Sequence, residues 1–143
     1  MPGRKSAAIS LMVLAIDVSG SIDQEALSAF SAENAAAFED GMFDRVIVLY
    51  CNTAVTRVEE FERGDVLKLE TKAGGSTRFS PVFRWIEDNA PDAAAVVYFT
   101  DLDSKDFGPK PELPVLWAAY GDSKVIAARA AITPFGDVIH IAA

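Results

Sequence analysis

Apolar stretches of strand length alternate along this chain with stretches of helical periodicity, and this alternation restricts the possible folds more than any other feature. The near-continuous apolar run from Ile9 to Ile16 is typical of a central strand covered on both faces. Similar patterns predict strands at 45–51, 55–61, 93–100, 115–120 and 136–141, and helices at 21–40, 80–89 and 122–131. This order is typical of an open, mostly parallel, doubly wound α/β sheet with helices on both faces. Because the 55–61 segment alternates and carries several charges, we expect it to be the one antiparallel edge strand.

The length of 143 residues predicts a single domain, with a folded core over about 7–141. Half of the residues are apolar and 24% are charged, which excludes an intrinsically disordered chain. The formal net charge of −8 argues against a nucleic-acid partner, because nucleic-acid affinity comes largely from neutralising phosphates. It fits a protein that binds cations or meets a basic partner.

The chain has one cysteine and one histidine, which limits its redox and metal chemistry. Cys51 has no second thiol for an internal disulfide, so we expect a reducing, cytoplasmic location. Cys51 and His140 both fall in predicted strands, where we expect structural roles. No uninterrupted apolar stretch reaches the roughly 18 residues of a transmembrane helix, so no membrane partner is expected.

Carboxylate and hydroxyl side chains follow the predicted strands where a parallel sheet binds its ligands. Five of these residues are candidate metal ligands: Asp17, Ser19, Ser21, Thr77 and Asp101. The first three have i, i+2, i+4 spacing after the first strand, Thr77 follows a Gly-Gly pair, and Asp101 follows the 93–100 strand. All are hard oxygen ligands, which suit Mg²⁺, Mn²⁺ or Ca²⁺ and do not suit zinc or copper. The alternative for the first three is a capped helix start.

The Asp17–Ser21 stretch, Asp-Val-Ser-Gly-Ser, resembles the D-x-S-x-S signature of von Willebrand factor A (VWA) domains. Thr77 and Thr100-Asp101 resemble the signatures of the second and third loops of that family, in the family's order. The resemblance implies a Rossmann-like VWA fold with a metal-ion-dependent adhesion site. It implies that Ser19 and Ser21 bind Mg²⁺ directly, that Thr77 binds directly or through water, and that Asp17 and Asp101 act mainly through water. It also implies that a partner protein supplies an acidic residue to the metal, and that the domain is not an enzyme.

Three segments are similar to a narrower bacterial group of VWA-like domains: 99–101, 115–121 and 134–139. That group is usually C-terminal to a metallopeptidase-like region, and its genes often neighbour those of MoxR-type AAA ATPases. The resemblance therefore implies a MoxR-type AAA ATPase, or an associated complex, as the partner. Leu102 stands where the family usually has a glycine, so the third loop is expected to hold its carboxylate differently.

Two alternatives stay open. The first is a phosphatase of the haloacid-dehalogenase type, whose D-x-D motif is similar to residues 101–103. In that case Asp101 would be the nucleophile, Asp103 the general acid and Mg²⁺ the charge clamp. The second is a structural α/β domain without metal. In the leading interpretation Asp103 and Asp106 are solvated loop acids, and Ser80 caps the second helix.

Overall fold

The computed structural model describes residues 11–19, 22–70 and 74–141, and strands alternate with helices through these ranges. The strands are β1 (Leu11–Asp17), β2 (Arg45–Cys51), β3 (Val55–Glu62), β4 (Ala95–Thr100), β5 (Val115–Tyr120) and β6 (Asp137–Ile141). The helices are α1 (Gln24–Glu39), α2 (Ser80–Asn89) and α3 (Ser123–Ala131). The predicted starts of the first strand and the first helix, at Ile9 and Ser21, lie outside the described residues. Among the described helices, none has both the length and the apolar character needed to cross a membrane.

The described strands form one sheet in the order β3-β2-β1-β4-β5-β6. All neighbouring pairs are parallel except β2 and β3, which are antiparallel and leave β3 at one edge. The predicted fold, with its single antiparallel edge strand, is therefore confirmed. Chain connections turn in opposite directions on the two sides of the β1–β4 pair. Such a switch point opens a crevice at the carboxyl ends of its strands.

Helices lie on both faces of the sheet. α1 packs on one face through Leu27 and Phe30. α2 and α3 pack on the opposite face through Phe83 and Ile126. All seven residues of β1 are buried between these layers, which explains why the first strand is an apolar run rather than an alternating one.

An aromatic cluster beneath α2 fixes the segment that enters this helix. Phe79 is fully buried, with its ring centroid 5.1 Å from that of Tyr98 and 4.9 Å from that of Trp117. The Trp117 indole Nε1 donates to the Phe135 carbonyl at 2.8 Å, so its polar edge is also satisfied. Because Phe79 directly precedes α2, its burial anchors the end of the loop that carries Thr77.

Two helix caps differ from a simple reading of the sequence. The Asp23 carboxyl caps α1 and accepts from the backbone N–H groups of the first helical turn. The prediction that Ser80 caps α2 is wrong: Phe79 occupies the N-cap position without a side-chain hydrogen bond. The Ser80 hydroxyl instead donates to Asp106 Oδ2 at 2.7 Å. The Ser80 hydroxyl therefore bonds to a charged acceptor on a neighbouring loop and does not cap its own helix.

Candidate functional site

The candidate site lies at the carboxyl ends of β1 and β4. These strands are adjacent and parallel, and Ile16 is paired with Phe99. Asp17 ends β1, Thr100 ends β4, and Asp101 is the next residue. The pairing therefore brings the first and third polar segments of the sequence to the same edge of the sheet, at its switch point.

The Asp17 carboxylate connects the three polar segments, which are the ends of β1 and β4 and the loop that carries Thr77. Oδ1 accepts from the Ser19 backbone N–H at 2.9 Å and from the Thr77 hydroxyl at 3.1 Å. Oδ2 accepts from the Thr100 hydroxyl at 2.6 Å. The side chain has no solvent-exposed surface. Asp17 is thus the centre of the site, held by donors that lie 2, 60 and 83 positions further along the chain.

Burial controls the protonation of Asp17. Desolvation raises the pKa of its carboxyl above the ordinary aspartate value, and the nearby charge of Asp101 raises this pKa further. Hydrogen bonds from Thr100 and from the Ser19 backbone oppose the increase, because they favour the ionised form. An ionised Asp17 is therefore only partly compensated by its protein neighbours, and a cation at this edge would stabilise its charge.

Ser19 has a buried hydroxyl that lacks a hydrogen-bond partner among the described residues. The residue is only 7% exposed. Its hydroxyl lies near the Asp17 carboxyl and lowers the pKa of that group, without the geometry of a hydrogen bond. A buried polar group without a partner costs about 1–3 kcal/mol of stability. Beside a buried carboxylate, the protein therefore has a hydroxyl oxygen that forms no hydrogen bond within the described residues.

Backbone hydrogen bonds tie the second loop to the first loop and to the turn between β2 and β3. The Gly74 N–H donates to the Val18 carbonyl at 2.6 Å, and the Arg78 N–H donates to the Asn52 carbonyl at 2.9 Å. Thr77 lies between these two anchors, and its hydroxyl reaches Asp17. The position of Thr77 is therefore set by the backbone on both sides, as a candidate ligand on a loop requires.

The third loop has a constrained backbone and an arginine contact. Leu102 has a left-handed φ of +62°, its side chain is buried, and its N–H donates to the Thr100 hydroxyl at 3.0 Å. The Asp103 N–H donates to Asp101 Oδ1 at 3.1 Å. Arg129, from α3, donates to the Asp101 carbonyl at 3.0 Å. Burial of the Leu102 side chain offsets the cost of a conformation in which glycine is the usual residue.

Four of the five predicted ligands are described, and they belong to one cluster: Asp17, Ser19, Thr77 and Asp101. Ser21 lies outside the described residues. The hydrogen bonds to Asp17 and its electrostatic coupling to Asp101 connect the four. The sequence reasoning therefore selected residues that the fold brings together.

Three contributions to the site region were missed or misread. Thr100 was noted only as part of a Thr-Asp pair, although it makes the shortest of the described hydrogen bonds to Asp17. Arg129 gave no signal in the sequence. Asp106 is a partly exposed loop acid, but its partners were missed: it pairs with Arg78 at 2.6 Å and accepts from the Ser80 hydroxyl. The Ser80 hydrogen bond, together with Arg78, lowers the pKa of Asp106.

Cys51 and His140 both lie on strands, as the sequence predicts. Cys51 is buried, and desolvation raises the pKa of its thiol to about 11, so the thiolate is disfavoured at neutral pH. His140 lies on β6, and its Nε2 is 2.7 Å from the Gly121 carbonyl oxygen. Among the described residues, neither Cys51 nor His140 makes a hydrogen bond to the Asp17 carboxylate.

The donor chemistry of the cluster fits a hard cation. Its carboxylate and hydroxyl oxygens are ligands of the kind that Mg²⁺, Mn²⁺ and Ca²⁺ prefer. Within the described ranges no group of three or more His, Cys, Asp or Glu side chains is arranged to hold a metal. A cation here would therefore depend on hydroxyl ligands as well as carboxylates. The unpartnered Ser19 hydroxyl is the feature of the cluster that most directly fits such a ligand.

The sheet order and the three-loop cluster define an α/β domain of the VWA-like class. Residues 12–142 match the family described as VWA-like domain (DUF2201), and the chain belongs to that family. The resemblance to VWA domains is thereby confirmed.

Solved structures show the same fold in distant proteins. The chain is similar to the ArnB paralog VWA2 from Sulfolobus acidocaldarius, with 16% identity, a TM-score of 0.65 and coverage of 96% of this chain. It is also similar to proximal thread matrix protein 1 from the mussel byssus, with 14% identity, a TM-score of 0.57 and coverage of 92%. The chain spans 42% and 43% of those two chains, respectively. No curated protein matches it significantly.

Proposed function

We propose that this chain is a divalent-cation-dependent protein-interaction domain rather than an enzyme. A VWA-like fold suggests a protein-interaction module. The observation that carries the cation dependence is the buried, unpartnered Ser19 hydroxyl beside the buried Asp17 carboxylate. Both groups cost stability in the protein alone, and both would gain from a cation.

The residues that would hold Mg²⁺, or Mn²⁺ or Ca²⁺ in its place, are Asp17, Ser19, Ser21, Thr77 and Asp101. The bound cation would supply a positive charge with one coordination position open to an acidic residue of a partner protein. Asp17 keeps Thr77 within reach of the site by hydrogen bonding, and the Ser19 hydroxyl remains available as a ligand. Specificity for an acidic contact then follows from the charge of the cation.

The proposed partner is a protein, and a MoxR-type AAA ATPase in the cytoplasm is the first candidate. This choice depends on the sequence resemblance to the bacterial VWA-like group. The phosphatase alternative requires the Asp101 carboxylate to attack phosphorus as the nucleophile. The Asp101 carboxylate instead accepts from the Asp103 N–H and lies near Arg129, an arrangement that holds it in place.

The first experiment is thermal unfolding in EDTA and in Mg²⁺, Mn²⁺ or Ca²⁺, for the wild type and Asp17→Asn. Asparagine keeps the size of the side chain and one acceptor oxygen but removes the charge. We expect a cation-dependent increase in Tm for the wild type only, because a ligand that binds the folded state stabilises it. Asp65→Asn is the matched control. This exposed carboxylate follows β3, which is antiparallel and therefore ends beside the amino ends of the parallel strands, away from the site. The variant should keep the full increase in Tm.

Two results would contradict the proposal. One is a wild-type Tm that no cation changes, and the other is an Asp17→Asn variant that keeps the increase. The interaction itself is tested by binding of a purified MoxR-type AAA ATPase with Mg²⁺ and with EDTA, where binding should require the cation. Turnover of p-nitrophenyl phosphate that depends on Asp101 but survives Ser19→Ala would favour the phosphatase instead.

A further inference from the structure

A single arginine lies against both carboxylates of the third loop. Arg129 is the basic residue in the last turn of α3. Its Nη1 donates to the Asp101 carbonyl at 3.0 Å and lies 3.9 Å from Asp101 Oδ2. Its Nη2 lies 3.7 Å from Asp103 Oδ1. The guanidinium therefore has one hydrogen bond to the backbone of this loop and two longer ion pairs with its acids.

Burial makes this charge effective at the site. The Arg129 side chain is 32% exposed and the Asp101 side chain 12%, so water screens the pair only partly. The other arginine near these loops, Arg78, is engaged with Asp106 at 2.6 Å. Among the described ion pairs, those of Arg129 are the ones that involve Asp101.

We propose that Arg129 is a built-in cation that competes with the divalent metal for the third-loop carboxylates. It stabilises the domain without metal by compensating Asp101 and Asp103, and it weakens metal binding by repelling a second cation at the same carboxylate. The inference rests on the function proposed above. Arg129 thereby sets how much cation is needed for the site to be occupied.

The test is a titration of the whole chain with Mg²⁺ or Mn²⁺, with Tm in EDTA measured alongside. Arg129→Gln removes the charge and should tighten the dissociation constant at least about fivefold, because one charge several ångströms from a divalent ion has about this effect even at the dielectric constant of water. In EDTA the Tm of the same variant should be about 2–4 °C lower than that of the wild type, because the hydrogen bond and ion pairs of Arg129 are lost. Arg129→Lys keeps the charge and should bind metal within about threefold of the wild type.

Lys124→Gln is the control for net charge, since Lys124 is an exposed residue of the same helix. It should leave metal affinity within about twofold of the wild type. An Arg129→Gln variant with unchanged affinity would overturn the inference, and weaker binding by both Arg129 variants would show that the arginine only orients Asp101. Metal binding by Arg129→Gln but not by the wild type would support competition. If no variant and no wild-type sample responds to metal, the proposed function fails as well, so the two failures are distinguishable.

Discussion

Replacing Ser19 with alanine should have opposite effects on the metal-free and the metal-bound domain. In the metal-free domain the Ser19 hydroxyl is buried and unpartnered, so it costs about 1–3 kcal/mol that alanine does not. The Ser19 backbone N–H, which donates to Asp17, is unaffected by the substitution. In EDTA we therefore expect Ser19→Ala to be more stable than the wild type. The variant also loses the stabilisation of the ionised Asp17 carboxyl by the Ser19 hydroxyl, which offsets part of this gain. At about 4 °C per kcal/mol for a domain of this size, Tm should rise by roughly 4–8 °C.

With metal the order should reverse. A cation at a hundredfold its dissociation constant stabilises the wild type by about 2.7 kcal/mol, or about 10 °C. Ser19→Ala lacks a proposed ligand and should lose most of that increase. The assay is thermal unfolding followed by circular dichroism, for both proteins in EDTA and in saturating Mg²⁺. The two Tm values should therefore change rank between the two buffers.

Either half of this result can refute the reasoning. A Ser19→Ala domain that is less stable in EDTA would mean that the hydroxyl has an internal partner. A variant that keeps the full metal increase would mean that Ser19 is not a ligand. Ser28→Ala, on the exposed side of α1, is the control for removing a serine hydroxyl. It should change stability by less than about 0.5 kcal/mol in both buffers.

Two further variants test the packing and charges around the site. Thr100→Val keeps the side-chain shape but removes the 2.6 Å hydrogen bond to Asp17 and an acceptor for a buried backbone N–H. Urea unfolding should show a loss of about 2–4 kcal/mol, whereas Thr56→Val, at an exposed position, should cost less than about 1 kcal/mol. Asp106→Asn tests the lowered pKa of the Asp106 carboxyl. The hydrogen bond from Ser80 and the contact with Arg78 cause this lowering in the wild type. The ionised carboxyl stabilises the fold above the ordinary aspartate pKa, and this contribution is lost as pH falls through that range toward the lower folded value. The wild type should therefore exceed the variant in stability at pH 7, by less than about 1 kcal/mol since the pair is exposed. The difference should shrink as pH falls below the ordinary aspartate pKa of about 4, and a difference that is independent of pH would contradict the assignment.

Much of the fold is determined locally, and the sequence therefore predicts it. β2 and β5 have the predicted bounds because strands that are buried on both faces are apolar along almost their whole length. β3 was predicted as an edge strand because its charges require solvent on one side. The site could also be located approximately, because ligands of such sheets bind beyond the carboxyl ends of the strands. The D-x-S-x-S spacing then selected Asp17 and Ser19.

The sequence could not predict contacts between segments that are distant in the chain. Local patterns describe one element at a time, but a hydrogen bond to Asp17 from Thr100, or an ion pair between Asp101 and Arg129, exists only after the sheet has formed. The same limit explains the error at Ser80, whose nearest acceptor in sequence is not its nearest acceptor in space. The sequence by itself determined the strands, the helices and the oxygen chemistry of the three loops. The tertiary structure decided which of those oxygens are already paired, because pairing depends on distances that only packing sets.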